Sequence, residues 1–594
     1  MKVLSITMFV VLLVMACQST KTPTALISHN LEQIITDYQH FKDHQSPFNQ
    51  DISGDTNSRL PDLSPQNLQK QHKILVVIYQ RLLAINSNKL NQTEAINHSV
   101  LSYSIKNELD SYTNKEHYMP LTAESGFHVW ISRIKSQVSF KTEQDYLDYI
   151  ARLNALPRYF SQQMYWMDQG IASGITQPKI VLEGFEESIK AFIKTDASSS
   201  TYYQPFLTLP AYFTPQLKAQ LKEQAMKTIA EVVMPSYQQY YDFMVNRYQP
   251  NARANIAANS LPNGDSYYVN RLQHYTTLPI SVDEVHNTGL AEVKRIRLEM
   301  DTIIEQLNFT GSFADFVHFL RTDKQFYATS PEGLLKEASF IAKKMDAQLP
   351  KLFKTLPRTP YGVIEVPANI APKYTTGRYS GPSRDDQPGN YWVNTYRLDR
   401  RPLYVLEALT LHEAVPGHHL QSSIAREMEN VPKFRTSTYI SAFGEGWGLY
   451  SEYLGKEAGF YQSPYSDFGR LTYEMWRACR LVVDTGMHAK GWSRERAMDY
   501  LANNTALSLH NVKTEIDRYI SWPGQALSYK MGELTIKKLR LHAEKNLGTS
   551  FDLREFHDQI LKNGSMPLSM LEAVIFDYVE KKKAQDKALK AETK

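Results

Sequence analysis

Three of the chain's 17 histidines crowd into one eight-residue window, "HEAVPGHH" (His412–His419), with Glu413 beside the first of them. Imidazoles grouped with a carboxylate suit a divalent ion that activates water, the carboxylate taking its proton. The spacing that places two histidines on one ion is H-E-x-x-H, one turn apart: about 6 Å along the helix axis and about 40° around it. Here Pro416 stands where the second histidine belongs. In an unbroken helix His418 would lie about 9 Å further along and on the wrong side. His419 would be on the right side but about 10 Å away, too far to share an ion whose Zn–N bonds are about 2 Å. Proline lacks the N–H the helix needs and crowds the preceding turn, while Gly417 accepts almost any backbone angles. Deleting the Pro-Gly pair leaves H-E-A-V-H. The expectation is a helix that breaks at Pro416–Gly417, so that His418 takes the second ligand position. His419 is the alternative for that role; otherwise it supports the ligands or faces substrate. Glu413 is the expected general base.

A catalytic zinc needs a third protein ligand and an open position. Some 33 residues on comes "SAFGEGWGLYSEYLG" (Ser441–Gly455). Phe443, Trp447, Tyr450 and Leu454 recur at helical spacing, which predicts a core helix. Glu445 lies between Gly444 and Gly446, with Gly448 a turn later. Glycines weaken a helix and are useful where another element must approach closely. Glu445 is the candidate third ligand. Glu452, two turns on, reads better as an acceptor for a ligand histidine, although it competes for the ligand role.

The elements that must hold these residues are mostly helical. From about residue 68 to 349 the apolar periodicity is that of helices. Residues 349–396, with "YGVIEVPANIAPKY" and "GNYWVNTY", predict short strands and turns just ahead of the metal helix. Asp399 and Pro402 read as the start of that helix, and helices continue to the end. The segment 48–67 reads as irregular surface. With 594 residues and 42% hydrophobic content, the chain can bury a large core. Lys+Arg 66 against Asp+Glu 62 leaves no basic excess for a nucleic-acid partner.

At the N-terminus, an apolar run from Val3 to Met15 precedes Ala16 and Cys17. It is short for a membrane span and fits a secretory signal of residues 1–16, cleaved before a lipidated Cys17. Gln18 after that cysteine favours the outer membrane, so the expected partner is outer-membrane lipid through the acylated Cys17. Residues 17–30 read as a tether, and 31–594 as a single large helical domain with its catalytic part at about 350–540. Only Cys479 then remains, which excludes an internal disulfide and thiolate metal sites.

Four stretches together resemble the bacterial domain of unknown function 885 family: "HEAVPGHH" (His412–His419), "GEGWGLYSE" (Gly444–Glu452), "RLVVDTGMHAKGWS" (Arg480–Ser493) and "WPGQALSYKMGE" (Trp522–Glu533). The resemblance covers most of the chain. That family is similar to mostly helical zinc metallopeptidases of the gluzincin kind. The resemblance implies a mainly α, metallopeptidase-like fold with a deep central cleft and a small β element ahead of the metal helix. The resemblance does not itself supply a substrate; one Zn2+ per chain is expected from the His and Glu constellation, and a peptide substrate from the deep cleft, which would favour oligopeptides over folded proteins. Within it, His488 and Tyr529 are candidate donors to the oxyanion, and Arg480 a candidate partner for a substrate carboxylate. Blander roles stand beside these: His488 at a helix end, Tyr529 in the core, Arg480 paired with Asp484. The strand at "NYWVNT" could add an extended peptide to its edge, lined by Asn390, Tyr391 and Asn394. The function expected is a zinc-dependent peptidase or carboxypeptidase acting on short peptides. A zinc hydrolase of another amide or ester, or a non-enzymatic lipoprotein that binds a partner, are the competing readings.

Overall fold

The structure is a computed structural model that describes residues 23–45, 60–368, 370–384 and 387–592. The signal segment and Cys17 lie outside the described residues. Residues 23–30, expected as tether, are instead helical, within α1 (Pro23–Gln45). Residues 65–67, expected as irregular, open another helix, Pro65–Leu83, which Ser64 caps.

Helices dominate, and one cluster of buried apolar side chains draws on residues from Leu31 to Val579. Two long helices frame its centre. In α2 (Val282–Gln306) a capping box between Ser281 and Glu284 fixes the start. Its buried stripe of Val285, Gly289, Val293, Ile296 and Met300 has the three-to-four spacing of a helix with one apolar face.

Between residues 361 and 393 the chain forms the small sheet: β1 (Tyr361–Glu365), β2 (Gly377–Ser380) and β3 (Gly389–Val393). The order is β1-β3-β2, with β1 parallel and β2 antiparallel to β3. This corrects the peptide-edge expectation, because β3 is the central strand and both its edges are paired. Tyr391 is buried, its hydroxyl 3.3 Å from Thr410 Oγ1. The buried Asn394 amide donates to the carbonyls of Ala371, Tyr374 and Thr375. Neither side chain is offered to a substrate, and Asn390 sits on the same paired strand.

After the sheet come two 3-10 turns, Leu398–Arg400 and Leu403–Val405, and only then α3 (Leu406–Glu413). Asp399 does not cap it, since two hydrogen bonds from Arg397, at 2.8 and 2.7 Å, already occupy its carboxylate. The remaining helices of the site are α4 (His418–Arg426), α5 (Ser441–Glu457), α6 (Pro464–Ala489), α7 (Leu509–Ser521) and α8 (Ser528–Leu547). Helix α6 packs along α2 and is buried on every side from Phe468 to His488. Its charged residues must therefore be paired. Arg470 meets Glu474 at 3.2 Å, Glu474 meets the buried Lys530 at 2.8 Å, and Arg480 meets Glu515 at 3.1 Å. Helices α5 and α8 pack so closely that a Cβ on Gly446 would lie 2.5 Å from the Gly532 Cα. Burial pushes the Cys479 thiol pKa up, which leaves that sulfur inert.

Candidate metal centre

Helix α3 stops where the proline dictates. Ala414 N–H still reaches back to the Thr410 carbonyl at 2.9 Å, and then the chain turns through Val415, a cis Pro416 and Gly417. The His419 N–H bonds the Ala414 carbonyl at 3.0 Å and α4 begins at His418. The Trp447 indole N–H donates to the Pro416 carbonyl at 2.8 Å, pinning the break from α5. Only glycine fits at 417, because a Cβ there would sit 1.9 Å from the His412 carbonyl oxygen. The outcome is two imidazoles nearly perpendicular, at 86°, with ring centroids 4.8 Å apart.

Glu445 completes the group. Its Oε2 lies 3.5 Å from His412 Nε2 and 3.3 Å from His418 Nε2, and the three donor atoms all lie within 4.8 Å of one another. Bonds of about 2.0–2.1 Å in a tetrahedral site put neighbouring ligand atoms about 3.3–3.4 Å apart. Both contacts of Glu445 match that spacing, and two imidazoles with one carboxylate are a donor set that suits a divalent ion. His412 Nδ1 bonds Glu452 Oε1 at 2.7 Å, which leaves Nε2 to face the group. Arg477 of α6 stands 3.4 Å from the same Glu452 oxygen. Gly448 makes room for the ring, since a Cβ there would meet His412 Nε2 at 2.7 Å.

The electrostatics are those of a cation site. Burial alone would raise the Glu445 carboxyl, but the His418 and His412 imidazoles hold it well below the usual carboxylate range. Burial would lower His412, and its bonds to Glu445 and Glu452 outweigh that and push it up to about 9. Glu413 points its Oε2 at the Tyr379 N–H of β2, 2.7 Å away. The strand next to the metal helix thus orients this carboxylate.

The sequence profile of the family described as "Bacterial protein of unknown function (DUF885)" matches residues 47–575. The chain belongs to that family. A crystal structure of a "putative lipoprotein" from Colwellia psychrerythraea is 28% identical to this DUF885 chain, with a TM-score of 0.86 over 93% of this chain and all of that one. A "putative lipoprotein of unknown function" from Shewanella oneidensis shares the fold at 16% identity and a TM-score of 0.70, over 93% of this chain and 99% of that one. No curated protein matches this chain in sequence.

The other candidates fall in different places. His419 is turned away from the cluster: its Nδ1 bonds the Tyr379 hydroxyl at 3.1 Å and its ring lies 4.4 Å from that of Tyr361. Burial holds it neutral, at a pKa of about 4. It buttresses the sheet that orients Glu413. His488 is a correction. It is fully buried, its Nδ1 accepts from Ala258 N–H at 3.0 Å, and its Nε2 meets the Tyr519 carbonyl at 3.1 Å. With both nitrogens taken and its pKa pushed down to about 3 by burial, it ties three elements together and cannot reach a substrate. Nor does it cap the end of α6.

Arg480 pairs with Glu515 and donates to the Tyr519 hydroxyl at 2.7 Å, not with Asp484. Its guanidinium lies 4.1 Å over the Tyr529 ring, so it braces that tyrosine and does not stand free for a carboxylate. Tyr529 is at the site, its ring centroid 6.3 Å from that of His412. Two neighbours escaped the sequence reading. Tyr439 lies across Gly444, hydrogen-bonds Glu445, and also walls a cavity of about 490 Å³ shared with Tyr38 and Lys42 of α1. Arg378, adjacent to Tyr379, is exposed and has no ion pair among the described residues; its guanidinium sits 5.4 Å from the Tyr374 ring. The bare Gly444 beside Glu445 was the one available signal for Tyr439. For Arg378 there was none.

Proposed function

We propose that the protein is a zinc-dependent peptidase of short peptides, exported and held at the outer membrane by a lipidated Cys17. The observation that carries this is the convergence of His412, His418 and Glu445 on one point, with Glu413 fixed beside them by β2. A His2Glu set with a vacant fourth position is a catalytic zinc donor set. When bound, the ion supplies Lewis acidity that lowers the pKa of an adjacent water toward neutrality.

The chain's own residues do the remaining work. Glu413 keeps one carboxylate oxygen on the Tyr379 N–H, and the other takes the water's proton and hands it to the leaving nitrogen. Tyr529, whose ring lies 6.3 Å from that of His412, and Tyr439, which hydrogen-bonds Glu445, are the proposed donors to the developing oxyanion. We infer that these tyrosines and Arg378 line a central cleft. In support, Tyr439 is 53% exposed although it hydrogen-bonds the buried-side Glu445. The unpaired Arg378 guanidinium favours substrates carrying a carboxylate near the cut bond.

The similarity to the Colwellia psychrerythraea protein, described as a "putative lipoprotein", supports the lipid anchor. Among the described residues no helix is long and apolar enough to cross a membrane. Digestion of a peptide library by the metal-loaded protein, with and without chelator, tests the reading. Chelator-sensitive cleavage is expected; a metal-loaded protein that cuts no peptide would overturn it.

A further inference from the structure

Behind the ligand helix lies a second pocket, partly open to solvent. The chain entering α3 (Asp399–Val405), Thr376 ahead of β2, Thr472 and Tyr473 of α6 and the N-terminus of α7 line a cavity of about 260 Å³, bordered by Arg321 and Tyr327. None of His412, Glu413, His418 or Glu445 lines it.

Its charge is one-sided. Three guanidiniums, of Arg321, Arg400 and Arg401, face one carboxylate, Asp399, a surplus of two positive charges. That carboxylate is already engaged by Arg397 and lies 3.9 Å from Arg400. Arg401 has only long bonds to neutral acceptors, 3.3 Å to the Tyr396 carbonyl and 3.4 Å to Thr376 Oγ1. Arg321 reaches the Thr505 carbonyl at 2.9 Å, and its Nε has no partner. Burial lowers the pKa of both, outweighing for Arg401 the opposing pull of Tyr473 and Asp399, whereas the carboxylate-paired Arg480 is raised. His510, at the mouth, is likewise pushed down, by burial first and then by Arg400 and Arg401.

Two further groups point to a missing acceptor. Tyr404 Oη and Thr472 Oγ1 are buried hydroxyls without a hydrogen-bond partner, at residues 5% and 1% exposed that both line the cavity. Folded chains rarely leave such groups unmet. Residues Ser508–Asn511 add the N-terminus of α7, a 13-residue helix whose first amides carry partial positive charge.

We propose that this cavity is a binding site for a phosphate-type dianion, held by Arg321, Arg400 and Arg401, the Tyr404 and Thr472 hydroxyls and the start of α7. The double positive surplus selects a dianion over chloride, and donors arriving from four elements suit a tetrahedral oxyanion better than a planar carboxylate. Two sources share that chemistry, free phosphate and a small phosphomonoester. The site does not depend on the peptidase reading. It adjoins the metal centre nonetheless: Arg401–Val405 runs directly into α3, and Tyr473 lies within electrostatic reach of Arg401 on one side and of Glu413 and Glu452 on the other. Occupancy would fasten the segment that delivers His412.

The test is calorimetric titration of the full mature chain with inorganic phosphate and, separately, glycerol phosphate. Chelator is present throughout so that binding cannot arise at the metal cluster, and ionic strength is held with chloride. Saturable binding is expected, weakened at least about tenfold by Arg401→Gln, which removes a charge-assisted donor. Thr472→Val deletes only a hydroxyl with no protein partner, so it retains the fold and still weakens phosphate. Tighter binding of the ester than of phosphate assigns the site to a phosphomonoester, and the reverse order to the free anion. No saturable binding of either up to about 10 mM, or unchanged binding in both variants, overturns the proposal.

Discussion

Replacing Gly448 by alanine places a methyl group against the metal-facing side of His412. The new Cβ would sit 2.7 Å from both Cε1 and Nε2, where ordinary contacts begin at 3.4 Å, so the ring must retreat by about 0.7 Å. It has little freedom to do so, because Nδ1 is anchored to Glu452 at 2.7 Å. A displacement of that size is a third of a Zn–N bond of about 2.0–2.1 Å. Disturbing the shell around a ligand typically costs 10–100-fold in metal affinity, about 1.4–2.7 kcal/mol. The fold pays less: overpacking costs about 1–3 kcal/mol, and alanine returns about 1 kcal/mol of helix propensity. The expected result is a folded variant, slightly lowered in Tm, with zinc affinity down at least tenfold in competition against a chromophoric chelator. A folded Gly448→Ala protein that holds zinc within twofold of wild type would refute the assignment of His412 Nε2 as a ligand atom.

Glu413→Gln keeps the contact to Tyr379 but cannot carry a proton; hydrolysis should fall by about 10²–10⁴-fold, with zinc content unchanged by metal analysis. His488→Gln should lower Tm through lost buried hydrogen bonds, about 1–3 kcal/mol, while zinc affinity and turnover stay at wild type; a large loss of turnover at normal zinc occupancy would restore a catalytic role. Asp484 is buried, and burial raises its pKa to about 7 from the ordinary 3.8, despite bonds from Tyr268 and Gly524. The folded state therefore binds the proton more tightly than the unfolded one. Its contribution is full below about pH 4 and is lost as pH rises to 7, by an amount of order 4 kcal/mol. Asp484→Asn should remove that part of the slope, so the wild-type advantage in Tm at pH 4 shrinks or inverts by pH 7. A difference independent of pH would show that the carboxyl ionises freely.

What the sequence revealed and what it hid divide along physical lines. The break at Pro416–Gly417 was legible because it is local: a missing N–H, a permissive glycine and a spacing wrong for a straight helix. The glycines around Glu445 were legible for the same reason, as concessions to whatever approaches. Roles that depend on distant partners were not. Arg480 and His488 read as substrate groups until Glu515, Tyr519 and Ala258 arrive from elsewhere to consume them. The strand "GNYWV" looked available because nothing in it says that β1 and β2 will flank it. Asp399 looked like a cap because nothing in the sequence shows that Arg397, two residues away, folds back onto its carboxylate.

Helix α6 has a consequence of its own. Between Phe468 and His488 it presents no outward face, and successive turns serve separate tasks: Thr472 at the anion cavity, Arg477 behind Glu452, Arg480 beneath Tyr529, His488 at the far junction. A shaft that drives several parts at once cannot be adjusted for one alone. Change at any turn is transmitted to the others, so evolution has room to retune this protein in the loops and peripheral helices and almost none along its spine.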